Sequence, residues 1–365
     1  MLDSSLSGGN ADVSAIDTPG QLYARNVTTT GYQSAIRRDG AVVPGANVNE
    51  YFSNQFQLFD SPRRSLNLPV RETPLPQQDD PASWALFAPR WYGDTAGLQA
   101  LFDSGASTIS FPFNYPYGQG AYLFYNEVEV IVPPTVRRIV GFQAGINSDS
   151  KGKNGGGLKL VIAEGSAEPL TIEQFGYGVK VEHRAARTLV LRDGAYRYND
   201  GPGASELFLE NVIIGPLRLN HVRQVWARQL NTESQPVKVD NRSADLWVLG
   251  FKTEGSWTTI RTSDGARTEL LGAYLMGIHV DTPEEREAPV FVVEDASASL
   301  VYRQIGYQED KNYRVLLRER RNGVTREQPR GLWPNEVALL SAYAEPSAQP
   351  DPSLSERLYL PLLRR

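Results

Sequence analysis

Two acidic residues of this 365-residue chain occupy the same position in a repeated segment, and they are its strongest candidates for catalysis. Residues 225–233 align without gaps on residues 246–254, which superposes Glu233 on Glu254. If the repeats stack as strands, equivalent side chains lie about 4.8 Å apart, so the two carboxylates are expected to be neighbours. Their repulsion would raise the pKa of one of them unless a cation lies between them. Such a pair can act as a general acid beside a base or nucleophile, as in glycoside hydrolysis.

Aromatic side chains near the two acids could hold a sugar ring. Trp257 follows Glu254 by three residues, and His279 takes the corresponding position after the next repeat. An indole can stack on the apolar face of a sugar. The alternative is that all these residues decorate solvated turns and never meet a substrate, because acids with altered pKa values mark functional sites only statistically.

A second aromatic cluster contains Tyr115 and Tyr117. It has two interpretations. The tyrosines could line a glycan groove where two parts of the fold meet. They could equally cap one end of the fold, an interpretation that their position close to a predicted cap helix favours.

Several other chemistries lack the residues that they require. The chain has no cysteine, which excludes disulfides, thiolate metal ligands and cysteine nucleophiles. The histidines lie far apart in sequence and form no zinc motif; they are His183, His221 and His279. The glycine-rich residues 151–157 lack the Lys-Ser/Thr ending of a phosphate-binding loop.

The sequence predicts no cofactor. Calcium is an alternative, because clustered aspartates bind it in related folds and several aspartates lie near the expected turns. These aspartates do not share one position of the repeat, so stacking does not bring them together; they are Asp240, Asp245 and Asp264. Calcium therefore has no support from the sequence.

The repeat also predicts the fold. Residues 22–32 align without gaps on residues 246–256, and Gly272 and Gly277 match the two glycines of that segment after a further shift. Self-similarity at about 20 to 25 residues, with strand-like segments and no helical periodicity, is typical of a β-solenoid. We therefore predict an all-β fold built from stacked parallel strands. The strands are expected at residues 188–191, 207–209, 225–230, 246–251, 269–275, 290–293, 300–302 and 313–317.

Composition limits the partners. The chain is 41% hydrophobic and 22% charged, with 32 glycines and 24 prolines, which suits a folded protein rich in turns. Its net charge is −5 without a basic cluster, so neither nucleic acid nor an anionic membrane is an expected partner. No apolar stretch of about 18 residues predicts a membrane span. The lack of cysteine favours an extracellular or cell-surface location, although residues 1–18 show no signal peptide.

One stretch resembles a known family. Residues 94–105 predict a short helix with Asp94 as its N-cap, residues 107–112 predict a strand ending in Phe-Pro, and residues 136–141 read Val-Arg-Arg-Ile-Val-Gly. Together they resemble the start of the right-handed parallel β-helix of the pectate-lyase superfamily. Tandem copies joined by a linker are similar to family 55 glycoside hydrolases, the β-1,3-glucanases. The family usually continues Phe-Pro-Pro-Gly, where this chain has the aromatic segment that begins Phe111-Pro112-Phe113.

We predict four segments along the chain. Residues 1–65 would form the terminal rungs of a first β-helix, and residues 66–90 a proline-rich linker. Residues 91–340 would form a second, capped β-helix, followed by an irregular tail over residues 341–365. Because residues 1–65 supply few rungs for a first β-helix, another chain or a missing segment that completes it is an expected partner.

The sequence leaves two functions open. The resemblance implies a glycoside hydrolase that acts on a polysaccharide by carboxylate acid/base chemistry at Glu233 and Glu254, with Trp257 as the sugar platform; a lyase is its catalytic variant. The alternative is a non-catalytic structural or adhesive β-helix of a cell surface, filament or phage particle. An enzyme would bring its acids and aromatic residues to one groove, and a scaffold would not.

Overall fold

The computed structural model describes residues 1–89, 95–113, 121–124, 126–148, 157–233, 236–277, 282–305, 313–330 and 337–343. Within these residues the chain is almost entirely β. The N-terminal strands are β1 (Leu2–Leu6), β2 (Ser14–Thr18), β3 (Tyr23–Thr29), β4 (Ser34–Arg38), β5 (Ala41–Val43), β6 (Asn47–Phe52) and β7 (Gln55–Phe56). The helices are α1 (Leu98–Phe102) and α2 (Pro283–Glu287), with one 3-10 turn at Pro81–Ser83. No helix of the described residues is long and apolar enough to cross a membrane.

The remaining strands follow in chain order. The first of them are β8 (Ala85–Leu86), β9 (Thr108–Ser110), β10 (Ala121–Phe124), β11 (Val128–Ile131), β12 (Arg138–Ser148), β13 (Leu158–Ile162), β14 (Leu170–Tyr177), β15 (Val179–His183), β16 (Leu189–Asp200) and β17 (Glu206–Ile214). The later ones are β18 (Leu217–Leu219), β19 (Gln224–Asn231), β20 (Val237–Asn241), β21 (Asp245–Glu254), β22 (Thr258–Ser263), β23 (Arg267–Met276), β24 (Phe291–Glu294), β25 (Ser297–Ile305), β26 (Val315–Arg321), β27 (Val324–Pro329) and β28 (Val337–Ala342). Each strand predicted from the sequence overlaps one of these.

Two sheets, both mainly parallel, carry the larger part of the molecule, and their antiparallel pairs are β25–β28 and β26–β27. The first runs in the order β7-β28-β25-β23-β21-β19-β17-β16-β14-β12-β9-β8, and the second in the order β18-β20-β22-β24-β26-β27. From β8 to β25 the neighbours of the first sheet pair in parallel. Among the described residues, helices lie only in the connections from β8 to β9 and from β23 to β25, where they are α1 and α2. Apolar side chains from both sheets share one continuous core. The predicted all-β fold with parallel sheets is confirmed.

The pairing register agrees with the repeat found in the sequence. Val225 pairs with Leu246, and Leu249 pairs with Leu271, which are the predicted shifts of 21 and 22 residues. Parallel strands in this register place equivalent side chains side by side. The self-similarity of the sequence therefore reports real strand neighbours.

The N-terminal copy of the repeat adopts the same backbone as the copies in the large sheet. Asn26 has a positive φ of 50°, as Gly250 has at 74°, and Gly31 at 84° matches Gly255 at 81°. This copy lies in a separate small unit, where β1 pairs in parallel with β3 and β2 with β4, while β6 pairs antiparallel with β3 and β5 with β4. The unit has its own small core, which consists of Ala24, Val27, Ala35, Ile36, Val43 and Val48.

The short helix predicted at residues 94–105 is present as α1, and its role as a cap stays a prediction. Helix α1 buries Leu98 and Phe102, two of the residues expected on its inner face, and Gly105 follows with a positive φ of 85°. Its N-cap is Gly97, whereas the predicted N-cap Asp94 lies outside the described residues. Strand β9 then covers the middle of the strand predicted at residues 107–112.

The proline-rich segment lies against the outer face of the large sheet. Leu66 N–H donates to Ser299 Oγ on β25, and Trp226 Nε1 on β19 donates to the carbonyl of Pro69 at 2.8 Å. Further along, Thr108 Oγ1 on β9 donates to Asp79 at 2.8 Å. The segment therefore crosses the strands in the reverse of their chain order. The division of the chain at residues 66–90 stays a prediction.

Candidate functional site

The structure brings Glu233 and Glu254 together around a lysine. Asn231 pairs with Lys252 at the ends of β19 and β21, so the residues that follow stay side by side. Lys252 Nζ donates to Glu233 Oε1 at 2.5 Å and to Glu254 Oε1 at 2.6 Å. The three side chains, here called the Lys252 cluster, are partly exposed.

Lys252 changes the chemistry expected of the two acids. Its hydrogen bond holds the pKa of the Glu233 carboxyl below its usual range. Partial burial works against the charge of Lys252, but the hydrogen bonds from its ammonium to both carboxylates raise its pKa. Glu233 is therefore an ionised carboxylate at neutral pH. The cluster supplies a base or a fixed charge more readily than a proton donor.

A residue that the sequence reasoning missed lies beside this cluster. Lys238 on β20 is fully buried, and its Nζ donates to the carbonyl oxygens of Glu254 and Gly255, both at 2.8 Å. Tyr313 Oη donates to the same Gly255 carbonyl at 2.7 Å. Burial lowers the pKa of Lys238 from its usual 10.5 to about 7. The sequence gives no direct sign of this, because Lys238 alternates with Val237 and Val239 as an outward-facing strand residue would.

The other predicted site residues are only partly described. Trp257 is half-buried in the turn between β21 and β22. His279, Tyr115 and Tyr117 lie outside the described residues, as do residues 151–156 of the glycine-rich loop. The roles assigned to these residues stay predictions.

A second feature is a row of residues with left-handed backbone in the large sheet. Each lies between an N-terminal and a C-terminal arm of its strand, and from Asp193 to Gly272 the pairing on either side of the bend stays in register. We call them the bend row; it consists of Gln174, Asp193, Asn211, Gln229, Gly250 and Gly272. Asparagine, aspartate and glycine are the residues that adopt this backbone most readily, and glutamine does so here as well.

The bend row borders two adjoining cavities of about 770 and 560 Å³. Both are lined by Asp193, Asn211 and Gln229, so the two cavities adjoin along this row, and we call them together the bend groove. Leu2 and Tyr23 of the N-terminal unit line one end of it. The amide of Asn211 donates to Asp193 Oδ1 at 2.9 Å, which fixes the direction of both side chains.

Charges alternate along one side of the bend groove. Glu173 pairs in register with Arg192, Arg192 with Glu210, and Glu210 with Arg228. Cross-strand neighbours of opposite charge attract each other, so the row is compensated along its length. The C-terminal arms contribute Ile213, 54% exposed, and Asn231, which pairs in register with Lys252. The Lys252 cluster therefore lies at the rim of the groove.

The three aspartates considered as calcium ligands bind other side chains of the protein. Asp240 is held by Arg261 and Arg242, Asp245 binds Arg267 through both oxygens, and Asp264 accepts a hydrogen bond from Ser263. Over the described parts of the chain, no group of three or more histidine, aspartate or glutamate residues is placed to hold a metal ion.

The buried histidine has a structural environment. His183 Nε2 donates to the carbonyl of Arg187 at 2.8 Å, which leaves Nδ1 to accept from the hydroxyl of Tyr198 at 3.2 Å. Burial lowers the pKa of His183, so the ring is neutral at neutral pH. Its ring nitrogens are thus engaged within the core.

No family model matches the chain, and no curated protein matches it. The function must therefore be inferred from the bend groove and the Lys252 cluster themselves.

Proposed function

We propose that this protein is a right-handed parallel β-helix that binds an extended polysaccharide in the bend groove. The single observation that carries the proposal is the row of amide and carboxylate side chains along the groove, made by Gln174, Asp193, Asn211 and Gln229. Neighbouring strands space these side chains by about 4.8 Å, so polar groups recur along the groove at a constant interval. A polymer of repeating polar units is a ligand that matches such a row.

The chemistry of the row suits sugars. An amide offers donors and acceptors together, as a sugar hydroxyl requires, and a carboxylate accepts from two hydroxyls at once. Ile213 and Leu249 add exposed apolar surface for the C–H faces of the rings. Ligand sites commonly combine apolar surface with a few oriented polar groups. This function corresponds to the adhesive alternative drawn from the sequence, and it favours an extracellular or cell-surface location.

Hydrolysis is the second candidate. The observation in its favour is that Glu233 and Glu254 are close together at the rim of the same groove. Lys252 weakens it, because a retaining or inverting hydrolase needs one of its two carboxyl groups protonated. Binding without turnover is therefore the function that the geometry supports better.

The test is polysaccharide binding by bend-row variants. Purified protein would be run in affinity gels that contain β-1,3-glucans, pectins or other polysaccharides, and reducing ends and unsaturated products would be measured in parallel. In the double variant Asn211→Gly/Gln229→Gly we expect retardation to be lost. Glycine suits the backbone at both positions, as Gly250 and Gly272 show in the same row. The fold should therefore be kept.

The matched control is Asn322→Gly. Asn322 also has left-handed backbone, with a φ of 50°, but it lies in the β26–β27 turn and does not line the bend groove. Equal retardation of the double variant and the control would refute the groove as the binding site. Release of reducing ends that Glu254→Gln abolishes would replace binding by hydrolysis. If no polysaccharide gel retarded the wild-type protein, the proposal would be wrong and a structural module would be the function that is left.

A further inference from the structure

Arginines converge on one aspartate of the second sheet, away from the bend groove. Arg218 on β18 pairs in register with Asp240 on β20, and Asp240 pairs with Arg261 on β22. Arg242 follows directly after β20. Because neighbouring parallel strands are about 4.8 Å apart, the register alone brings these side chains within reach of one another.

Asp240 holds the arginines in fixed orientations. Arg261 donates Nε to Asp240 Oδ1 at 2.8 Å and Nη2 to Oδ2 at 2.9 Å, a bidentate pair. Arg242 reaches Oδ2 with Nε at 3.1 Å and with Nη2 at 2.9 Å. Arg218 Nη1 lies 4.0 Å from Oδ2 and donates to the carbonyl of Val237 at 2.9 Å. The Asp240 side chain is only 4% exposed, whereas the arginine side chains are 28% to 46% exposed.

The charges in this cluster do not balance at its accessible end. Three guanidinium groups surround a single carboxylate. Glu294 and Asp264 are near enough to Arg261 to act on its charge, so Arg261 is compensated. Among the ion pairs of the described residues, Arg218 and Arg242 have Asp240 as their one acidic partner. Each keeps further N–H groups beyond those that it turns to Asp240, because a guanidinium has five.

We infer that Arg218 and Arg242, oriented by Asp240, form a binding site for an oxyanion. The ligand class is a sulfate, a phosphate or the acidic group of an anionic polymer, because planar guanidinium groups match the paired oxygens of these anions. The site is on a different sheet from the bend groove and does not depend on the proposed function. An arginine cluster whose N–H groups were all engaged within the protein would bind no anion.

The test is a titration of the intact protein with sodium sulfate at constant ionic strength, followed by calorimetry. We expect saturable binding to the wild-type chain and at least about tenfold weaker binding to Arg218→Gln/Arg242→Gln, since each lost charge-assisted hydrogen bond typically accounts for a factor of this size. The double variant keeps the bidentate Arg261–Asp240 pair, so the buried carboxylate stays compensated.

The matched control is Arg267→Gln. Arg267 is a surface arginine with a one-to-one bidentate partner, Asp245, and its loss should leave sulfate binding unchanged. The source of the anion is then distinguished with a sulfated polysaccharide, a polyuronate and a neutral glucan. Binding of an acidic polymer that the double variant loses assigns the site to polymer recognition, and binding of sulfate alone assigns it to a free anion. The inference would be overturned if the wild type, the double variant and Arg267→Gln gave the same sulfate isotherm, or if the wild type bound no sulfate.

Discussion

The buried amine of Lys238 should make this protein more stable as the pH rises above neutrality. Burial lowers the pKa of Lys238 to about 7, whereas an unfolded chain would restore the usual 10.5. Between these values the unfolded state binds more protons than the folded state, so the free energy of unfolding increases with pH. Integration from about pH 7 to about pH 9.5 gives roughly 3 kcal/mol for this one group.

The geometry explains how the folded state accepts a neutral lysine. Lys238 Nζ has two acceptors, the carbonyls of Glu254 and Gly255, and a neutral amine still carries two N–H groups. Deprotonation therefore removes the buried charge without leaving either carbonyl unpaired. The carboxylates of Glu233 and Glu254 oppose this effect by favouring the charged form, but burial outweighs them.

The assay is urea unfolding at the two pH values for the wild type, Lys238→Met and Lys159→Met. In Lys238→Met the free energy of unfolding should rise by roughly 3 kcal/mol less between the two pH values than it does in the wild type, because methionine has no proton to release. Lys159, which forms a surface ion pair with Glu129, provides the lysine control and should keep the wild-type slope. If Lys238→Met and the wild type gain the same stability between the two pH values, Lys238 is charged throughout and the reasoning is wrong.

Three further predictions concern single positions. Glu269→Ala should cost about 3–5 kcal/mol in chemical denaturation, because it leaves the buried Arg25 and the N–H groups that bind Glu269 without their partner, and Glu269→Gln should cost less. Gly250→Ala should lower stability by about 1–2 kcal/mol in thermal unfolding through backbone strain alone, since a Cβ meets nothing closer than 3.7 Å, and Gly250→Asn should cost less. Lys252→Met should raise the pKa of Glu233 in a carboxyl NMR titration; an unchanged value would show that Lys252 does not set it.

The sequence predicted those features that depend on the repeat. Equivalent residues of successive copies lie on neighbouring strands, because parallel pairing places them side by side at the strand spacing. The glycine position that the copies share has left-handed backbone. Asn26 in the N-terminal copy shows that this holds even between units far apart in sequence. Glu233 and Glu254 came together for the same reason.

Features that depend on packing between different segments were not predictable in this way. The proline-rich segment looked like a connector, since nothing in its composition specifies that Trp226 binds its carbonyl or that Glu269 accepts its N–H groups. The burial of Lys238 does not follow from the sequence, because strand alternation does not show which outer face a neighbouring turn covers. Lys252 could have been anticipated: it lies two residues before Glu254, on the same side of the strand as both acids.

The bend row has a role in packing, and the proposed function adds a role in binding at the same backbone position. Asn26 donates to Asp3 at 2.7 Å in the N-terminal unit, as Asn211 donates to Asp193 at 2.9 Å in the large sheet, so an amide-to-carboxylate bond links left-handed residues of adjacent strands in both. This bond contributes to stacking whether or not a ligand is present. The row turns to glycine at Gly250, where the N-terminal unit approaches the groove. Amides are thus kept along the open part of the groove, although glycine would satisfy the backbone there equally well. In the proposed function these side chains, which already link adjacent strands, also present hydrogen-bonding groups to the ligand, and glycine at the same positions would present none.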